Sequence, residues 1–69
     1  MSKFTELLTK TREKKKMLKV DVANLFGWTP MYYGRYENGY LEPTKNNIKI
    51  FADFIGITVE ELQKIIEEK

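Results

Sequence analysis

Apolar residues recur three and four positions apart along most of the chain, which is the spacing of one face of an α-helix. The first such stripe consists of Phe4, Leu7, Leu8 and Thr11. Ser2 is a suitable N-cap for this stripe, and a first helix is predicted over about residues 3–14. No alternation of apolar and polar residues is long enough to predict a strand.

A second helix is predicted over about residues 18–26. Its buried face would consist of Val22, Ala23 and Phe26. Gly27 follows at the position where a glycine commonly ends a helix in the left-handed conformation. This helix lacks a clear start, because Leu18 has no side-chain oxygen that could cap it and Asp21 offers only a negative charge in the first turn.

The third helix has the clearest start in the chain and is predicted over about residues 30–37. Thr29 is a good N-cap, and Pro30 suits the first helical position, where its missing N–H costs nothing. Asn38 and Gly39 end the helix. A turn of only about three residues separates the second and third helices, so we expect them to cross steeply.

Two further helices are predicted over about residues 45–55 and 59–68. The fourth has apolar residues at the helical spacing, and the pair Thr58 and Glu61 forms a capping-box pattern at the start of the fifth. Those apolar residues are Ile48, Phe51, Ala52 and Ile55. Because no linker or repeat interrupts the chain, the pattern predicts an all-α fold, a compact single domain of five helices over residues 1–69.

The composition argues against catalysis. The 69 residues include no Cys and no His, which excludes a disulfide framework, a Cys/His zinc site, an imidazole base and a thiol nucleophile. We expect no enzyme activity, no metal and no cofactor. No stretch approaches the roughly 20 apolar residues of a membrane span, and the N-terminus has no signal-like apolar run, so we expect a cytoplasmic protein.

The charge is unevenly distributed, although the net charge is only +2. Residues 1–20 carry seven basic and two acidic side chains, whereas residues 51–69 carry two basic and five acidic ones. This polarity suits a module that presents its N-terminal half to a polyanion such as nucleic acid, although a lysine run is also typical of a solvated face.

The third helix and its surroundings resemble a known DNA-binding family. The segment over residues 22–39 reads VANLFGWTPMYYGRYENG, with Pro43 just beyond, and residues 48–62 read IKIFADFIGITVEEL. Both are similar to the phage repressor and Cro family, often called XRE-like, and the likeness extends from Phe4 to Leu62. The resemblance implies a lambda-repressor-like fold whose third helix enters the DNA major groove.

The resemblance also implies an ion pair between Arg12 of the first helix and Glu37 at the end of the third. The chain departs from the family at Leu18 and Lys19, where a Ser or Thr cap and a DNA-contacting Gln are usual. Gly34 is unusual inside a recognition helix. It costs roughly 1 kcal/mol relative to Ala, so we expect a packing or close-approach reason for it.

Helical geometry leaves one set of residues on the outer surface of the third helix, and these are the candidates for reading bases. They are Arg35, Tyr32, Met31 and Pro30. Arg35 is the strongest candidate because its guanidinium can bond guanine O6 and N7 together; the alternatives are a solvated arginine and, for Met31 and Tyr32, a partner-facing apolar surface. The candidates for phosphate contacts are Lys19, Lys15, Lys16, Thr29, Asn38, Lys45, Asn46 and Asn47.

These features predict a sequence-specific transcriptional regulator of the repressor or Cro type, from a bacterium or a phage or other mobile element. It would bind double-stranded DNA at a palindromic operator as a homodimer. The candidates for the subunit interface are Ile57, Val59 and Leu62, which are also candidate core residues that the sequence does not separate from an interface, and the loop residues Tyr40 and Leu41. Trp28 is either a lid on the core or a contact to DNA or protein. The alternatives are an antitoxin or restriction-modification controller of the same fold, and a module that binds a protein instead of DNA.

Overall fold

The computed structural model describes residues 2–68, which form five α-helices and no strand. The helices are α1 (Lys3–Lys14), α2 (Lys19–Phe26), α3 (Pro30–Glu37), α4 (Ile48–Ile55) and α5 (Val59–Glu67). The all-α, five-helix fold predicted from the sequence is therefore confirmed. Within this part of the chain, no helix is long and apolar enough to span a membrane.

Side-chain caps from Ser2, Thr29 and Thr58 define the starts of α1, α3 and α5. Ser2 Oγ accepts a hydrogen bond from the backbone N–H of Thr5 at 3.2 Å. Thr58 and Glu61 complete the capping box, with reciprocal bonds of 3.0 and 3.1 Å. Leu18 provides no side-chain cap for α2; instead the Asp21 carboxylate accepts the backbone N–H of Leu18 at 2.9 Å. Each cap satisfies amides that a helix end would otherwise leave unpaired.

The fourth helix begins later than the apolar pattern predicts. It starts at Ile48, and the three preceding residues form a turn in which the Thr44 carbonyl accepts the N–H groups of both Asn47 and Ile48, at 3.0 and 2.8 Å. The prediction of a helix from residue 45 was wrong because apolar spacing marks only the buried turns of a helix. Lys45 and Asn46 consequently lie in an exposed turn.

The five helices enclose one core centred on aromatic rings. Phe51 of α4 is fully buried and packs against Phe4, Phe26 and Tyr36, with ring centroids 5.3, 5.6 and 4.8 Å away. The buried apolar residues are Phe4, Leu8, Val22, Ala23, Tyr33, Tyr36, Ile48, Phe51, Ala52, Phe54 and Leu62. Leu62 is fully buried here, so of the two roles open to it, core residue and dimer contact, the protomer shows the core role.

Candidate nucleic-acid interface

The helices α2 and α3 pack against each other across a turn of three residues. Gly27 ends α2 in the left-handed conformation, with φ of 78°, and the backbone N–H of Trp28 donates to the Ala23 carbonyl at 2.8 Å. The Thr29 hydroxyl then accepts the N–H of Tyr32 at 3.1 Å and starts α3. This local chemistry produces the helix-turn-helix unit predicted from the sequence.

One side of α3 is anchored in the core and the other is open. Tyr33, Tyr36 and Glu37 are buried, whereas Met31 is 72% exposed. The open side also presents Pro30, Arg35 and Asn38. Three of the four candidate base-reading residues, Pro30, Met31 and Arg35, therefore share one solvent-facing surface on a helix whose opposite side is held by packing.

Tyr32 is the exception among the candidate base-reading residues. It is half-buried, its ring lies edge-on to Trp28 with centroids 4.9 Å apart, and its hydroxyl lies 3.0 Å from that of Tyr36. The expectation that Tyr32 projects outward was wrong, because aromatic neighbours on α3 and in the turn offer its ring a packed site. Its hydroxyl belongs to a network inside the protein.

Asn47, a candidate phosphate contact, takes part in the same network. Its side-chain amide donates to the Tyr36 hydroxyl at 3.0 Å and reaches that of Tyr32 at 3.4 Å. This amide thus ties the residue before α4 to the recognition helix α3. The adjacent Lys45 and Asn46 are exposed. Because Asn47 belongs to the same turn, its hydrogen bonds to the tyrosines anchor that turn.

The predicted partners Arg12 and Glu37 meet in a charge cluster between α1 and α3. Arg12 Nε donates to Glu37 Oε2 at 2.7 Å and Nη2 donates to Oε1 at 3.3 Å. Thr9 adds a hydrogen bond of 3.3 Å to Oε1, and the Tyr33 hydroxyl donates to Oε2. Thr9 was not predicted from the sequence, although its position three residues before Arg12 on the same helix face is a usable signal.

The electrostatics of this cluster favour an ionised carboxylate. Burial alone would raise the pKa of Glu37, but the hydrogen bonds from Arg12 and Tyr33 and the charges of Arg12 and Lys19 outweigh it, so the pKa lies below its ordinary value. Burial, followed by the hydrogen bond to Glu37, raises the pKa of Tyr33 and keeps its hydroxyl protonated. The cluster is therefore a structural support for the end of α3.

Other candidate phosphate contacts lie at two separate places. Lys19, Thr29 and Asn38 are exposed at the start of α2 and at the two ends of α3. Lys15 lies elsewhere, with its Nζ 5.3 Å from the centroid of the Phe54 ring.

Lys15 also lines a surface cavity with Ile55 and Ile57 at the C-terminal end of α4. Lys45 and Asn46 precede the opposite end of that helix, so the structure does not bring Lys15 to them. The assignment of Lys15 to a phosphate contact stays a prediction, and its exposed side chain lies within cation–π range of Phe54. Lys16 is exposed in the turn after α1 and has a left-handed φ of 57°.

The remaining aromatic and loop candidates divide between core and surface. Trp28 is half-buried and stacks on Tyr36, with ring centroids 5.4 Å apart, which supports the interpretation of a lid on the core. Leu41 packs against the core, whereas Tyr40 is 79% exposed. Ile57 and Val59 are partly buried against the same core.

Comparison with known proteins identifies the architecture. A family described as helix-turn-helix has a model that matches residues 8–62, from the middle of α1 to the fourth residue of α5. The matched span includes α2, α3 and the whole open surface of α3. No curated protein and no solved structure matches the chain.

Proposed function

The chain belongs to the XRE-type helix-turn-helix family of DNA-binding transcription regulators, and we propose that it reads a specific palindromic operator with the open surface of α3. The observation that carries this proposal is the two-sided character of α3. Tyr33, Tyr36 and Glu37 fix the helix from behind, and Arg35 stands on the exposed side. A helix held this way can present side chains to the major groove in one register.

Arg35 is assigned the main role in reading the sequence. A guanidinium that bonds guanine O6 and N7 together contributes about 1–3 kcal/mol of discrimination against the wrong base. Met31 and Pro30 present apolar surface at the start of α3, where they suit contact with thymine methyl groups. Tyr32 has a supporting role, since its hydroxyl is bonded within the protein.

Phosphate contacts are assigned to exposed groups around α3. They are Lys19, Thr29, Asn38, Lys45 and Asn46, together with Lys15 and Lys16 in the segment between α1 and α2. Such contacts supply affinity and set the register of the protein on the duplex without reading sequence. We further propose that two protomers occupy half-sites about one helical turn, ~34 Å, apart, and that occupancy of the operator represses transcription.

The proposal is tested by selection from a random duplex library at two salt concentrations, with Arg35→Ala carried in parallel. A palindrome should be enriched, and Arg35→Ala should lose about 5- to 150-fold in discrimination at one base pair of each half-site. Affinity should fall with salt, and a plot of the logarithm of the binding constant against the logarithm of the salt concentration should have a slope of about −0.9 for each neutralised phosphate. Lys64→Ala, which removes one positive charge from an exposed position on α5, is the control and should leave the selected sequence unchanged.

Failure to enrich a sequence would favour a function in binding another protein. Several large apolar side chains are exposed, including Leu18, Leu25, Met31 and Tyr40, and these favour a protein-binding module as the second candidate. Enrichment of no sequence, with affinity no better than the ~10⁻⁴ to 10⁻⁶ M of non-specific binding, would contradict the DNA-reading proposal. An antitoxin or a restriction-modification controller would also bind DNA in this assay. Binding of a toxin would identify an antitoxin.

A further inference from the structure

Gly34 differs from the other three glycines of the chain in its conformation. Gly27, Gly39 and Gly56 have φ of 78°, 84° and 91°, and each lies at or just beyond the end of a helix. These positive angles strain a residue that carries a Cβ, so glycine is needed there. Gly34 lies in the middle of α3 with ordinary helical geometry, where glycine weakens a helix relative to alanine.

No contact among the described residues explains why position 34 carries no side chain. A Cβ built at this position would meet no atom within 4 Å among the described residues, leaving aside its neighbours and the backbone of its own helix. A Cβ at Gly39, by contrast, would lie 3.9 Å from the Thr5 methyl group. Packing within the chain therefore does not explain Gly34.

The surroundings of Gly34 point toward an external contact. It is next to Arg35 in the chain, follows Met31 by three residues and precedes Asn38 by four, and residues at these spacings neighbour one another on a helix. Each of those three residues is exposed, and Gly34 itself is partly exposed. Gly34 is thus a position on the open surface of α3 at which no side chain covers the helix backbone.

We propose that Gly34 is a close-approach site, at which the backbone of α3 contacts duplex DNA in space that a methyl group would fill. This inference rests on the proposed DNA-reading function. A Cβ would hold the helix away from the groove, and Arg35 beside it would lose the distance and alignment that two simultaneous hydrogen bonds to guanine require. Gly34 is therefore a specificity-determining position that acts through helix placement.

The test separates folding from binding, because the two effects of a side chain at Gly34 have opposite signs. Gly34→Ala should raise the melting temperature of the free protein by about 4–8 °C, since it improves the helix without meeting any atom. On the duplex enriched by the wild-type protein, Gly34→Ala should bind about 5- to 150-fold more weakly, the effect expected of an overpacked interface. Gly34→Leu should bind more weakly again while melting no lower than the wild type.

The matched control is Asn24→Ala, at an exposed position of α2. It should also raise the melting temperature, because alanine is the better helix former, but it should leave affinity for the duplex unchanged. Affinity of Gly34→Ala equal to that of the wild type would overturn the inference while leaving the DNA-reading function intact. Failure of the wild-type protein to enrich any sequence would overturn both, and the wild-type arm alone reports that outcome.

Discussion

Replacing Arg12 with methionine should destabilise the protein more than any exposed charge change. The substitution removes three hydrogen bonds: two to the Glu37 carboxylate, at 2.7 and 3.3 Å, and one of 3.0 Å to the Met17 carbonyl in the turn after α1. Methionine keeps most of the apolar stem. What remains is an anionic carboxylate with only 4% of its side chain exposed, which keeps its hydrogen bonds from Thr9 and Tyr33 but loses the cation bonded to it and retains only the more distant charge of Lys19.

The magnitude follows from that burial. Removing one partner of a buried ion pair costs about 3–5 kcal/mol, because the other charge stays desolvated and uncompensated. A domain of this length has a free energy of unfolding of about 3–10 kcal/mol. Arg12→Met should therefore remove a large fraction of the stability and lower the melting temperature by at least about 12 °C.

The assay is urea unfolding followed by the fluorescence of Trp28, whose ring stacks on Tyr36 and so reports the docking of α3. Lys49→Met is the control. It breaks the ion pair of Lys49 with Asp53, in which the side chains are 74% and 67% exposed, and should cost about 0.3–0.5 kcal/mol. Adding Glu37→Gln to Arg12→Met should recover about 0.5–3 kcal/mol, since a neutral amide no longer leaves a buried charge.

Two results would refute this reasoning. One is an Arg12→Met protein whose free energy of unfolding falls no further than that of Lys49→Met. The other is a double variant no more stable than Arg12→Met alone, since that would mean that the uncompensated carboxylate is not the source of the cost.

Three further predictions concern the supports of the recognition helix. Because the pKa of Glu37 is lowered in the folded state, its ionised carboxylate stabilises the folded protein above about pH 4.5, and this stabilisation is lost as the pH falls through the folded pKa. The melting temperature should therefore fall less between pH 7 and pH 3 for Glu37→Gln than for the wild type. Asn47→Ala should lower the free energy of unfolding in urea by about 1 kcal/mol, because it removes the amide that donates to the buried Tyr36 hydroxyl. Asn46→Ala, the control, should leave stability unchanged and lower affinity for DNA. Equal stabilities of the two variants would contradict a stabilising role for the hydrogen-bond network. Leu18→Ser should stabilise the protein by about 1 kcal/mol by capping α2, and an unchanged thermal melt would argue against the capping account.

The starts of α1, α3 and α5 and the open side of α3 were accessible from the sequence because they depend on atoms within one helical turn. Thr29 and Pro30 start α3 through contacts that span three residues, and Thr58 with Glu61 does the same for α5. The exposure of Met31 and Arg35 follows from their angle around a helix whose buried side carries Tyr33 and Tyr36.

Other features were decided only when distant segments packed together. Tyr32 turned from the surface into the aromatic cluster because Trp28 and Tyr36 surround its ring, and Asn47 joined them from eleven residues further along the chain than Tyr36. Lys15 lies beside Phe54 because the end of α1 approaches α4. Local patterns assign each side chain a direction on its own helix. Its partner depends on how the helices are arranged around the shared core, because that arrangement buries apolar residues of all five helices together.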